Sequence, residues 1–340
     1  MVPVMLDAAA PVAGLSPRAS VVLGLGAAAG LWLAPTPLFL VAWVAFFGWL
    51  LARVARSRHL LSAALVGVAG LLPGVTWALG IDAGPLPPVA VMVAGGVLPF
   101  HLWFTALEHR LRPSELQVVL VAQPGVAFLH RWVTEHHDHL PGQRWVLAGF
   151  VVTALAQTGL GLVRASPRRA LTALTLSQSA LLLAGAVAHE AGWQAARLLW
   201  LSLAAGAVVL HSVAHELERK YGATTLAPAH GLAAAEPMLH RAFVGMGWLF
   251  VGLPGGVAFF AEDLLFHALV ETSVAATFAF LGSVALNAVV FYRVYLGLFA
   301  GPARRPAVTP PSRRGAWVYL ALLAVVVAGG LCPQLFLRAP

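Results

Sequence analysis

Apolar runs long enough to cross a bilayer follow one another along nearly the whole chain, and this limits the fold more than any single motif. They fall at about 19–34, 36–52, 60–80, 87–105, 115–133, 145–163, 170–188 and 198–214, with further spans at about 274–299 and 316–335. A polar, helix-compatible link at 215–237 and an interrupted apolar region at 238–271 separate the first eight from the last two. With 60 % hydrophobic and 10 % charged residues, no soluble core could bury the apolar surface with so few charges to cover it. The expected fold is therefore all-α: a polytopic membrane helical bundle of about eleven spans, forming a single transmembrane domain over residues 1–340.

Within the interrupted region, Gly252–Glu271 (GLPGGVAFFAEDLLFHALVE) places a helix-breaking Gly-Leu-Pro-Gly and three carboxylates in apolar surroundings. Pro254 removes a backbone donor, and Gly252, Gly255 and Gly256 loosen the helix, so the chain is expected to unwind at membrane depth. Glu262, Asp263, His267 and Glu271 follow within about three turns, and ionisable groups at such depth are functional candidates. The competing reading makes Pro254–Glu262 an exposed loop between two full crossings.

Charge distribution separates these readings. If 238–271 is one broken crossing, 16 of the 21 basic residues fall on one side of the membrane, among them Arg53, Arg164, Arg168, Arg169, Lys220 and Arg304. Four fall on the other (Arg131, Arg144, Arg197, Arg338), and Arg293 stays inside a span. Such asymmetry marks the cytoplasmic side, so eleven crossings with a cytoplasmic N-terminus in the cell inner membrane are expected. Two full crossings at 238–271 would move Arg304, Arg305, Arg313 and Arg314 outside.

The same pattern explains a pI near 10.9 without nucleic acid, because the arginines lie in short clusters between apolar spans. The single cysteine, Cys332, excludes an intrachain disulfide and a cysteine-based metal site. Glu135, His136, His137, Asp138 and His139 lack a helical ligand register, so no metal site is expected there. No nucleotide-binding loop, nucleophile elbow or zinc-protease motif occurs, and no cofactor is expected. The first fifteen residues lack a basic n-region, so no cleavable signal peptide is expected.

Several motifs, in order, resemble one family. Leu98–Trp103 (LPFHLW) is similar to a Pro-Phe-His-x-Trp signature, and Gln123–Arg131 (QPGVAFLHR) to the end of the helix that follows it. Ser166–Ala180 (SPRRALTALTLSQSA) resembles a basic pair followed by a Ser-Gln run, and Gly252–Leu264 (GLPGGVAFFAEDL) resembles a broken-helix pattern. The family is that of the antiporter-like, proton-conducting membrane subunits of respiratory complex I, membrane hydrogenases, cation/proton antiporters and inorganic-carbon uptake complexes. This chain looks like a short and degenerate member.

The resemblance implies a proton path built on a glutamate paired with a lysine, a central lysine or histidine, and a terminal lysine or glutamate. Here the pairing lysine falls on Gln123, the central positions on Ala204 and Val208, and the paired glutamate near Val44. Glu262 alone matches the terminal acid. Glutamine can bond a water wire but holds no titrating proton. The break before Glu262 should recruit water, leaving a carboxyl able to load and release a proton near neutral pH.

Further path candidates are His101, Gln178, His211 and Arg293, each with a plainer role. His101 and His211 sit near helix ends, Gln178 suits interhelical packing, and Arg293 either snorkels to the interface or reaches Glu271. Two functions follow. One is a module of a multi-subunit complex that couples proton or ion movement to a partner's redox or carbon-hydration chemistry. The other is a non-conducting scaffold that docks a catalytic partner. On either, the partners are membrane and peripheral subunits and the lipid bilayer.

Overall fold

A computed structural model describes residues 17–55, 60–79, 86–108, 111–136, 142–188, 190–302 and 313–334. Among them are fourteen helices: α1 (Pro17–Leu33), α2 (Thr36–Val54), α3 (Leu60–Ala78), α4 (Leu86–Ala94), α5 (Leu102–Glu108), α6 (Pro113–Ala122), α7 (Pro124–His136), α8 (Gln143–Val163), α9 (Pro167–Ala188), α10 (Glu190–Tyr221), α11 (Pro237–Phe250), α12 (Val257–Thr272), α13 (Val274–Phe299) and α14 (Arg313–Leu331). Five of the fourteen are individually long and apolar enough to cross a membrane. Three neighbouring pairs, α4/α5, α6/α7 and α11/α12, are halves of one pass each. The bundle thus makes eleven passes.

Contacts fix which helix ends lie together. Arg53 at the end of α2 pairs with Glu115 at the start of α6 (2.7 Å). Arg168 at the start of α9 meets Glu218 near the end of α10 (3.5 Å). Arg293 on α13 donates to the carbonyls of Gly161 (3.3 Å) and Arg164 (2.7 Å) at the end of α8. Lys220 reaches Glu236, the residue that caps α11. All of these contacts belong to one end of the bundle. At the opposite end, Arg131 donates to the carbonyls of Trp32 in the last turn of α1 and of Ala34 just beyond it, and Gln143 at the start of α8 reaches the Val187 carbonyl at the end of α9. Since α11 begins at the basic end and the unbroken α13 returns to it, α11/α12 crosses once.

The innermost helix is α9: apart from Arg168, Arg169 and Ala186, every residue in it is buried. Its sequence permits this because, beyond Arg168 and Arg169 in its first turn, its polar side chains are small or uncharged on every side, leaving no face that demands water. Small residues bring its neighbours close. A Cβ on Gly185 would stand 2.9 Å from the Gly192 carbonyl oxygen of α10. An aromatic cluster of Phe39, Trp43, Phe47, Trp77, Phe128 and Trp132 packs α2 and α3 against α7.

Two expectations change. The apolar run 87–105 is not one helix but is interrupted at Gly95–His101, where Leu98–Pro99 is a cis peptide bond. The 215–237 link is not a separate segment, because α10 runs on to Tyr221; at 32 residues it spans roughly 48 Å, longer than the hydrocarbon core. Lys220 accordingly lies in the last turn of α10. Of the cluster at 135–139, residues 137–139 fall outside the described residues; among those described, no group of metal-ligating side chains assembles.

Candidate functional site

Each broken pass frees backbone groups that a low-dielectric interior leaves costly, about 1–3 kcal/mol for each one without a partner. At Gln123 the backbone is left-handed (φ 43°) and Pro124 carries no N–H, so the carbonyls at the end of α6 lose their helical donors. Side chains replace them. The Gln123 amide donates to the Leu120 carbonyl (2.7 Å), and the indoles of Trp200 and Trp32 donate to those of Val121 (3.0 Å) and Ala122 (2.8 Å). At the α4/α5 break, the Trp103 indole donates to the Val93 carbonyl (2.7 Å) and the Leu98 N–H to Thr153 Oγ1 (3.1 Å). These two breaks also touch: a Cβ on Gly125 would stand 2.5 Å from Gly95 Cα. The first half of the bundle therefore joins its two discontinuities backbone to backbone and closes them with indoles.

The third break is built differently. Gly252 (φ 86°) and Gly255 (φ 95°) take backbone angles that favour glycine, and Pro254 between them cannot donate, so α11 stops at Phe250 and α12 starts at Val257. Glu262, a turn and a half into α12, folds its carboxyl back onto this break. A Cβ on Gly252 would overlap Glu262 Oε2. Glu262 is 8 % exposed, and its Oε1 has no hydrogen-bond partner. Gln178 of α9 reaches both the Phe250 carbonyl (3.5 Å) and the Glu262 carboxyl. Where the other breaks present indoles, this one presents an acid and an amide.

The central helix links the two halves. Ser179, next to Gln178, donates to Gln123 Oε1 (2.6 Å), and Thr175, a turn earlier, contacts His211 Nε2 of α10 (3.1 Å). Gln123, Ser179, Gln178 and Glu262 thus form a line running across the bundle at the middle of α9, with His211 beside it. Ser177 Oγ of α9, Ser202 Oγ of α10 and both amide atoms of Asn287 on α13 are buried without partners. Buried groups of this kind are normally satisfied by ordered water. The array presents amides and hydroxyls beside two titratable groups, Glu262 and His211.

The other sequence candidates stand apart from this line. Asp263 and His267 lie on the outward face of α12, 62 % and 67 % exposed, and pair with each other (3.9 Å). Glu271 is exposed at the end of the same helix. The 100° step between successive helical residues turns Asp263 away from Glu262. Arg293 is engaged with carbonyls at the basic end, away from Glu271. His101 sits in the α4/α5 break near Arg164, with Nδ1 unpartnered. Val44, matched above to the family's paired glutamate, points outward at 68 % exposure.

Sequence reasoning missed two buried ion pairs and one break. Glu115 is fully buried against Arg53, and its other carboxylate oxygen accepts the Arg112 N–H (3.1 Å). Glu236 takes both Lys220 Nζ (2.9 Å) and the Tyr221 hydroxyl (3.0 Å). For the break the signal was present: Gly95-Gly96-Val97-Leu98-Pro99 has the same glycine and proline chemistry as the Gly-Leu-Pro-Gly segment.

Solved structures share this architecture. A chain of the Mrp complex from Dietzia sp. DQ12-45-1b superposes with TM-score 0.73 at 20 % identity, over 94 % of this chain and 76 % of that one. A chain of respiratory complex I from Thermus thermophilus with bound NADH gives 0.76 at 17 %, over 94 % and 80 %. The archaeal membrane-bound sulfane sulfur reductase, a respiratory membrane complex, gives 0.79 at 18 %, over 92 % of this chain and 59 % of its own. No curated protein sequence matches the chain. Residues 86–287, which hold all three breaks, α9 and Glu262, match the transmembrane region of the NADH:quinone oxidoreductase/Mrp antiporter family, and the chain is a multi-pass membrane protein belonging to that family.

Proposed function

We propose that the chain is a membrane subunit of a hetero-oligomeric complex, in which the line from Gln123 to Glu262 moves protons in step with a partner's redox or ion-exchange chemistry. The placement of Glu262 carries this reading. A carboxyl turned into a helix break, backed by glycine and touched by a single amide, is costly unless it exchanges protons with water. That the similar chains belong to the Mrp complex, respiratory complex I and the sulfane sulfur reductase supports membrane and peripheral subunits as partners. The concentration of basic residues at one end supports a cytoplasmic assignment for that end, in a cell inner membrane with the N-terminus inside.

A second reading has one observation in its favour. Both breaks in the first half are closed by indoles and carry neither lysine nor carboxylate, as befits a scaffold that has lost conduction and keeps a docking role. Replacing Glu262 with Gln separates the two. Glutamine keeps shape and hydrogen bonding while removing the titration, so on the transport reading the assembled complex forms normally and its ion-coupled activity falls about 100-fold. Undiminished activity in a fully assembled Glu262→Gln complex would overturn conduction through this residue and leave the scaffold.

A further inference from the structure

At the basic end of the bundle, α3, α5, α8 and α9 enclose a cavity of about 350 Å³ that plays no part in the line described above. Its chemistry is divided. One part of the lining is apolar, from Leu61 and Leu65 of α3, Leu102 and Ala106 of α5, and Leu176 of α9. Leu61 and Leu102 are 72 % and 51 % exposed, so the cavity opens sideways onto the surface that lipid covers. The other part holds two guanidinium groups, from Arg164 at the end of α8 and Arg169 in the first turn of α9. Neither forms an ion pair among the described residues, in contrast to Arg53, Arg168 and Arg219, each paired with a glutamate.

The most buried polar lining residues, Gln157 (2 % exposed) and Thr172 (3 %), each have an unpartnered polar atom, Nε2 and Oγ1. Four helices thus bring together two free cations, two unsatisfied polar side chains and an apolar wall open to the bilayer at headgroup depth. A soluble anion would match the arginines but would leave the leucine wall against water. An acyl chain alone would match the leucines but not the charges.

We propose that this cavity is a binding site for one anionic phospholipid. Its phosphate pairs with Arg164 and Arg169, its glycerol or headgroup oxygens approach Gln157 and Thr172, and its first acyl carbons lie along Leu61, Leu65 and Leu102. The lipid would join α3 and α5 to the central helix. The site is independent of proton movement through Glu262.

The test uses the full chain with its co-purifying partners, equilibrated in turn with vesicles of phosphatidylglycerol and of phosphatidylcholine. Lipid retained per chain is then counted by mass spectrometry. Wild-type protein is expected to retain phosphatidylglycerol over phosphatidylcholine. Arg164→Gln with Arg169→Gln is expected to weaken retention about 30-fold, and the paired Lys substitutions to keep most of it. Ala106→Phe, which fills the cavity and leaves both arginines in place, is expected to lower retention as well, so the test does not hang on how the charge variant folds. Equal retention of the two lipids, or retention unchanged in both the Gln pair and Ala106→Phe, would overturn the proposal. So would displacement of phosphatidylglycerol by millimolar inorganic phosphate, which would assign the arginines to a soluble anion, or by an acidic peptide, which would assign them to a protein partner.

Discussion

Gly252 and Glu262 show how one backbone angle sets the position of one acid. The glycine takes φ 86° and leaves no Cβ where Glu262 Oε2 lies. Gly252→Ala is therefore expected to lose at least about 2 kcal/mol in thermal unfolding, from left-handed strain and from overlap with the carboxylate, and to impair ion-coupled activity even where assembly survives. Glu115 makes a contrasting case. Fully buried, it pairs with Arg53 (2.7 Å), and Glu115→Gln is expected to cost about 3–5 kcal/mol by leaving the buried guanidinium without its carboxylate. Substituting Arg53 by Met and Glu115 by Leu together should cost much less. Similar destabilisation by the single and double changes in a melting series would count against the pair. The two acids are equally plain in the sequence, yet their roles differ because one faces a cation and the other a broken helix.

Among the elements, α9 decides the site, and its part was only half legible. The Ser-Gln run within SPRRALTALTLSQSA marked Gln178, but the helix has no polar face from which to infer that it lies innermost. Burial on all sides followed from its neighbours rather than from its own pattern. Legibility was better where the backbone itself fails. The Gly-Leu-Pro-Gly segment was expected to interrupt a helix and does so, and Gln123-Pro124-Gly125 breaks one with the same proline and glycine chemistry, whereas Gly95–Pro99 was hidden by the unbroken hydropathy of its span. Facing was least legible: Asp263, His267 and Glu271 share a helix with Glu262, and only packing tells which of them turns inward. The junction of the first two breaks gives a test at this scale. Gly125→Ala should force Gly95 away and cost about 3 kcal/mol, measured against a surface control such as Gly159→Ala, which meets nothing within 4 Å.

For the whole molecule, the count of eleven passes follows from charge asymmetry in the sequence and from helix-end contacts in the structure, two unrelated lines of reasoning. The bundle presents large apolar side chains outward on α2, α3, α13 and α14, as a lipid-covered or subunit-covered surface requires. The chain is expected to co-purify with at least one membrane or peripheral subunit, and a stable, active monomer in detergent would contradict this. Cysteines placed at Arg169 and Arg144 should label from opposite faces of sealed inverted vesicles, and labelling from the same face would refute the topology. The central claim is that a wetted polar line connects Gln123 to Glu262 through α9, and a high-resolution cryo-electron microscopy map of the assembled complex tests it most directly. Ordered water bonded to Glu262 Oε1 and continuing past Gln178 to Ser179 and Gln123 is the predicted result; a dry, close-packed interval between Glu262 and α9 would contradict it.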